Sequence, residues 1–286
     1  MLASFIRKIQ HFRYVVYSEV ENMTSYLSLS ALTALLPLLF YVFRFPNGPR
    51  FYFWCFLAVA ISGSASWTIV MFAEGWQTGF TSALWITITA TLLIYLPIAA
   101  IYHEGYKLAA GLLPYLLLLG ILSFIWEGQL EGRILTNASQ LWVMSHIIFS
   151  LTTYGLLTLA AIAGFSAFVQ ERSLKTKKYT FLNVAFPTLA SSENLESRLL
   201  ELSIFVLSIG LITGITAHFL QTGNFFHLTH KTLLSLGTFG IILTLLVARK
   251  VIGLRGIKAA RWVLLAFLTL TLAYPGVKFV TDVLLV

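Results

Sequence analysis

Residues 145–164 read SHIIFSLTTYGLLTLAAIAG, twenty residues without an Asp, Glu, Lys or Arg. About 20 apolar residues, at 1.5 Å of rise each, make a helix that crosses a hydrocarbon core of roughly 30 Å. A strand of a closed barrel would instead alternate in segments of about 10 residues, and this stretch does not alternate. His146 opens the helix, and Ser150, Thr153 and Tyr154 follow at four, seven and eight residues, all on one face. Leu157, Ala161 and Gly164 continue that face. A face that is polar near one membrane surface and small below it suits a helix packed among neighbours around a site open at that surface. The plainer reading is an interfacial histidine above hydroxyls that bond only their own backbone.

The rest of the chain repeats the pattern. The 286 residues are 58% hydrophobic and 10% charged, far below the roughly 25% charged residues of a soluble domain. We read an all-α integral membrane protein with eight transmembrane helices, at about 27–43, 52–72, 81–102, 108–126, 142–169, 199–220, 231–251 and 260–285. Residues 1–26 form an N-terminal arm containing the amphipathic stretch FIRKIQHFRYVVY, and 27–286 form one membrane domain. RFPNGPR, EGWQTG and HEGYK separate the first four spans. A long polar connection, Gln170 to Arg198, follows the fifth, and its SSENLESRLLE half predicts an N-capped helix with Ser192 or Asn194 as the cap.

Eight crossings put the odd-numbered loops on one side and both termini on the other. The odd loops carry thirteen basic residues, among them Arg172, Lys175, Lys177, Lys178, Arg249, Lys250 and Arg255, and the even loops only Arg133 and Lys231. The positive-inside bias therefore places the odd loops in the cytoplasm, and both termini and His146 on the outer, periplasmic side. Arg7, Lys8 and Arg13 of the arm run against that bias. The formal charge of +8 thus reflects orientation and points to no nucleic acid.

Span six offers a second polar face. Gly210, Gly214 and His218 stand at four-residue intervals in GLITGITAH. A G-x-x-x-G lets two helices approach closely and puts His218 on the packed side. His227, His230 and Lys231 follow in QTGNFFHLTHK. With His146 they make a dense histidine set on the expected outer side, and neutral imidazole nitrogens ligate haem iron or transition metals. No H-x-x-x-H or carboxylate partner supports zinc or copper. Lys278 and Asp282 lie four apart in the last span and can pair, just after Pro275-Gly276, which predicts a kink. His103 and Glu104 read as solvated loop residues, and Glu74 and Glu127 as interfacial anchors beside Trp76 and Trp126.

The single cysteine, Cys55, sits in an apolar run and excludes an internal disulfide or a thiolate cluster. There is no C-x-x-C-H, no phosphate-cradling glycine loop, no G-x-S-x-G and no H-E-x-x-H. No catalytic residue is therefore expected, nor a metal beyond a haem iron held through His146. Deeply buried carboxylates of the kind used by proton-coupled transporters are not evident in the spans.

From about Leu141 to the C-terminus the chain resembles the cytochrome c assembly family of haem-handling membrane proteins, in its short CcsA/YpjD-like form. The likeness rests on HIIFSLTTYGLLTLAAIAGFSAFVQERSLKTKK, on FPTLASSENLESRLLELSIFVLSIGLITG and on KTLLSLGTFGIILTLLVARKVIGLRGIKAARWVLLAFLTLTLAY. The first four spans resemble it only in hydropathy. The resemblance implies a bacterial inner membrane protein that binds haem at its outer face during cytochrome maturation, with other maturation or membrane-complex subunits as partners. It implies that His146 is the first external histidine, with the second ligand to come from His218, His227 or His230. Lys231 matches the lysine of the family's tryptophan-rich loop, and Ser150 and Tyr154 line the same face as His146. The loop NFFHLTHKT has no tryptophan, however, and the last span, ending FVTDVLLV, has no second external histidine. Those departures keep a second reading open: a haem-free accessory or regulatory subunit of an ion transporter or other membrane complex. A small-solute transporter is a third.

Overall fold

The computed structural model describes residues 25–73, 79–126, 140–223 and 230–280. Those residues are all helical or in short connections, and eight helices are long and apolar enough to cross a membrane. In chain order they are α1 (Ser25–Arg44), α2 (Arg50–Ala73), α3 (Phe80–Ile101), α4 (Ala109–Ile125), α5 (Gln140–Thr176), α7 (Leu189–Thr222), α8 (His230–Ile252) and α9 (Gly256–Thr271). A five-residue helix, α6 (Phe181–Ala185), lies between α5 and α7. A π-helical turn over Leu272–Gly276 joins α9 to the short α10 (Val277–Phe279). Pro275 has no N–H to donate to the helical ladder, so the expected kink takes the form of this widened turn.

Two helices are much longer than a bilayer needs. α5 has 37 residues and α7 has 34, about 50–55 Å each at the helical rise. Their facing surfaces form an extensive interface. The expected polar connection from 170 to 198 is largely these two helix ends. α7 starts at Leu189 with Thr188 in the cap position, ten residues before the span read from the sequence, so neither Ser192 nor Asn194 is a cap. Both were read as caps because polar residues precede an apolar run. In the fold Ser192 is fully buried and its hydroxyl meets that of Ser166 on α5 at 2.8 Å.

Small and compact side chains explain the close pairing. On α7, Ser192, Leu199, Ser203, Leu207 and Gly210 fall along one buried stripe, and α5 buries Leu157, Ala160, Ala163 and Ala167. α5 is the central helix, with 61% of its most apolar window buried, whereas α8 has only 17%. The outer helices therefore turn large apolar residues such as Phe40, Ile69 and Val251 outward, as lipid-facing surfaces do.

Rings mark one end of the bundle: Phe279 stacks edge-on to Trp126 at 5.4 Å and lies 5.6 Å from Phe80. His146 near the start of α5 and His230 at the start of α8 belong to this end. The opposite end carries the connections 45–49, 102–104, 177–188 and 253–255, and with them the basic residues.

Candidate functional site

At the His146 end, α3, α5, α7, α8 and the last helix enclose a cavity of about 290 Å³, close to the lower bound of roughly 300 Å³ for small-molecule sites. His146, Ser150, Thr153 and Tyr154 line it from α5, and Gly210 from α7. Lys231 and Ser235 line it from α8, and Tyr274 and Lys278 from the π turn and α10. The face predicted from the spacing of α5 is thus the wall of a real cavity.

The imidazole of His146 is held in one orientation. Its Nδ1 lies 2.8 Å from the carbonyl oxygen of Gly210. A carbonyl only accepts, so Nδ1 donates to it, and in the neutral imidazole that leaves the lone pair on Nε2. Gly214, one turn further along α7, makes room for the ring: a Cβ there would stand 2.8 Å from Cε1 and 2.9 Å from Nδ1. The G-x-x-x-G does bring two helices together, as its sequence predicts. What it accommodates is His146, with Gly210 giving the acceptor and Gly214 the space. A backbone-anchored imidazole with a free Nε2 is how metal-ligating histidines are oriented.

The other expected site residues divide into three groups. Tyr154 is buried, and its hydroxyl is spent on the hydroxyls of Tyr115 and, at 3.4 Å, Thr271. Its ring is part of the cavity wall, and its hydroxyl is not a ligand contact. Thr153 bonds the carbonyl of Phe149 at 2.8 Å, the plain reading of a hydroxyl in a span. His218, partly buried on α7, and His230, exposed at the start of α8, are not among the residues lining the cavity. His227 lies outside the described residues, as do Glu74, Trp76, Glu127, Asp282 and residues 1–24 of the N-terminal arm. Among the described residues no three His, Cys, Asp or Glu side chains cluster as a metal site would require.

Sequence reading missed two features. Lys278, assigned to a pair with Asp282, lines the cavity. The spacing of Leu270, Ala273, Tyr274 and Lys278 along the last span was the available signal, because it is one helix face.

The second feature is at the opposite end. Glu196 is fully buried and pairs with Arg249 of α8 at 2.6 Å, which corrects the expectation that the spans hold no deeply buried carboxylate. The cause is the early start of α7, which turns a supposed loop glutamate into a helix residue facing α5. Its Oε2 and the Nε of Arg249 have no hydrogen-bond partner among the described residues. Nearby, the carboxylates of Glu193 and Glu171 accept the N–H groups of Gly256 and Ile257, at 3.1 and 2.8 Å, and so cap α9. Gly256 sits at φ 63°, a left-handed conformation that glycine adopts without strain.

Glu104 is also part of the fold and not a solvated loop residue. It accepts from the backbone N–H and the hydroxyl of Thr188, at 2.9 and 2.7 Å, and from Lys107 at 3.2 Å. Burial pushes its carboxyl up, but these hydrogen bonds outweigh burial and bring it down to about 2. His103 is exposed, and its carbonyl accepts from Arg50 at 3.2 Å.

The sequence profile of the cytochrome C assembly protein family matches residues 50–285. The chain belongs to that family. The match takes in α2 to α4, so the relationship reaches further toward the N-terminus than the resemblance from Leu141 onward. Over 263 residues the chain is 43% identical to an "uncharacterized 28.8 kDa protein in nifR3-like 5'region" of Azospirillum brasilense, covering 90% of this chain and 97% of the relative. It is 27% identical over 153 residues to "Protein HemX" of Brevibacillus brevis, covering 54% of this chain and 56% of that protein. No solved structure matches. This is a haem-related, multi-pass membrane protein of the cytochrome c assembly family.

Proposed function

We propose that the chain binds haem at the outer face of the bacterial inner membrane and presents it during cytochrome maturation. The observation that carries the reading is the His146 imidazole, fixed through Nδ1 by the Gly210 carbonyl and lining an otherwise largely apolar cavity. A neutral imidazole is an axial ligand for haem iron, and an apolar wall suits the macrocycle. The residues present therefore fit the group. His146 would hold it, and the walls of α3, α5 and α7 would exclude water from it. Bound haem would supply the iron and the vinyl groups that cytochrome maturation uses. A second histidine holding the group would, in this reading, come from His218, His227 or His230.

The outer placement rests on charge. The end remote from His146 carries the basic loops, and basic loops stay in the cytoplasm. In a Cys55→Ser background, an impermeant maleimide added to intact cells should label His230→Cys. Lys178→Cys should react only after permeabilisation, and the reverse pattern would invert the orientation.

Haem content tests the function. Protein purified from membranes should lose most of its haem in a combined substitution of His146, His218, His227 and His230 by Ala. An unchanged haem-to-protein ratio would sink the proposal. One observation favours the haem-free accessory reading: among the described residues His146 is the only histidine lining the cavity. Stable co-purification with a transporter, without haem, would establish that reading instead.

A further inference from the structure

A second cavity, of about 440 Å³, opens at the basic end between α7, α8 and the connection into α9. It lies at the opposite end of the bundle from His146 and owes nothing to the haem reading. Its charged lining is Glu193 and Glu201 from α7, Arg249 and Lys250 from α8, and Arg255 from the connection. Two of these are already engaged: Arg249 pairs with Glu196 at 2.6 Å, and Glu193 accepts the N–H of Gly256 at 3.1 Å. The other three are exposed, and among the described residues Lys250, Arg255 and Glu201 form no ion pair. Two cations and a carboxylate thus border one cavity without meeting across it. Charges of one sign would suit a simple counter-ion. Charges of both signs, held apart on separate elements, match a ligand that carries both.

The surroundings add an apolar requirement. Leu246 lines the cavity, and one turn deeper into the span Leu243 is exposed. Phe205, four residues on from Glu201 along α7, is exposed as well. The cavity is therefore polar at the level of the loops and continues into apolar helix faces below, where acyl chains run. Basic residues between membrane helices at that level bind lipid phosphates.

We propose that this groove holds the headgroup of a zwitterionic phospholipid bearing a primary ammonium, as in phosphatidylethanolamine. Lys250 and Arg255 take the phosphate, Arg255 through its planar fork of donors, and Glu201 accepts from the ammonium. A quaternary ammonium has no N–H to donate and a glycerol head carries no cation, so either leaves Glu201 unanswered.

The test uses the full-length protein, delipidated in detergent. It is titrated with phosphatidylethanolamine, phosphatidylglycerol and phosphatidylcholine of identical acyl chains, and the first bound lipid is followed by native mass spectrometry. Wild type should bind phosphatidylethanolamine about tenfold more tightly than either of the others, the size of one charge-assisted hydrogen bond. Glu201→Gln should abolish that preference and leave phosphatidylglycerol affinity no lower. Lys250→Gln and Arg255→Gln should each weaken all three lipids, which share the phosphate. Lys250→Arg keeps the charge and should keep the preference, which separates charge from folding.

Equal affinity of wild type for the three lipids would overturn the proposal, as would a preference untouched by Glu201→Gln. Tighter binding of phosphatidylglycerol would mean a plain anion site and overturn the zwitterion. If glycerophosphoethanolamine, the same head without chains, competes at the lipid's own concentration, the occupant is a soluble zwitterion and the lipid is overturned. None of these outcomes bears on haem, which stands or falls on its own measurement.

Discussion

α5 and α7 run the length of the protein, and their two ends use charge in opposite ways. At the basic end four carboxylates hold helices together: Glu196 with Arg249, Glu193 and Glu171 on the N-terminus of α9, and Glu104 on the N-terminus of α7. At the His146 end the charged residues among the described lining of the cavity are Lys231 and Lys278. One end is a staple and the other is a receptacle. A charged group buried within the staple is evidence about folding. A charged group lining the cavity is evidence about a ligand.

The largest effect should come from breaking the staple. Glu196→Ala leaves the Arg249 guanidinium unpaired in a buried position, and losing one partner of such a pair costs about 3–5 kcal/mol. Thermal unfolding in detergent should show that loss. The double variant Glu196→Leu, Arg249→Met should recover most of it, because a buried pair replaced by apolar residues is close to neutral. If the double variant stays as unstable as the single, the pair does more than hold the helices, and the division between the two ends fails.

At the receptacle end a comparable change should affect binding more than folding. Gly214→Leu fills the space that the His146 ring occupies. It should lower haem affinity by more than about tenfold, or roughly 1.4 kcal/mol, while costing less stability than Glu196→Ala. Titration with haem and a melting curve on the same preparation would check both parts. A large stability loss with unchanged haem affinity would mean that the cradle around His146 is structural.

The smallest expected effect concerns pH. The folded value of the Glu104 carboxyl, about 2, lies below its ordinary 4.5, so its contribution is present above pH 4.5 and is lost as pH falls through 2. Stability measured from pH 6 down to 2 should fall more steeply in wild type than in Glu104→Gln, which lacks the titrating group. Parallel curves would show that the Thr188 contacts do not favour the charged form.

Much of this division could be read from the chain. The eight apolar runs, the histidine face of α5 and the G-x-x-x-G of α7 follow from helical spacing alone, and the fold bears out all three. The staple could not be read, because hydropathy treats SSENLESRLLE as a polar loop. Only packing against α5 shows that Ser192 and Glu196 face inward. Lys278 was visible as a charge in a span. Its place on one helix face with Leu270, Ala273 and Tyr274 was legible in the spacing, but that this face borders a cavity depends on how the helices pack. The carbonyl of Gly210 was beyond any side-chain motif, since the backbone carries that function.

The most direct test of the central claim is an absorption spectrum of the purified protein, oxidised and reduced, beside His146→Ala. The account predicts a Soret band with split visible bands on reduction, weakened or shifted in the variant. A featureless spectrum after haem supplementation, or one identical in the two proteins, would contradict it.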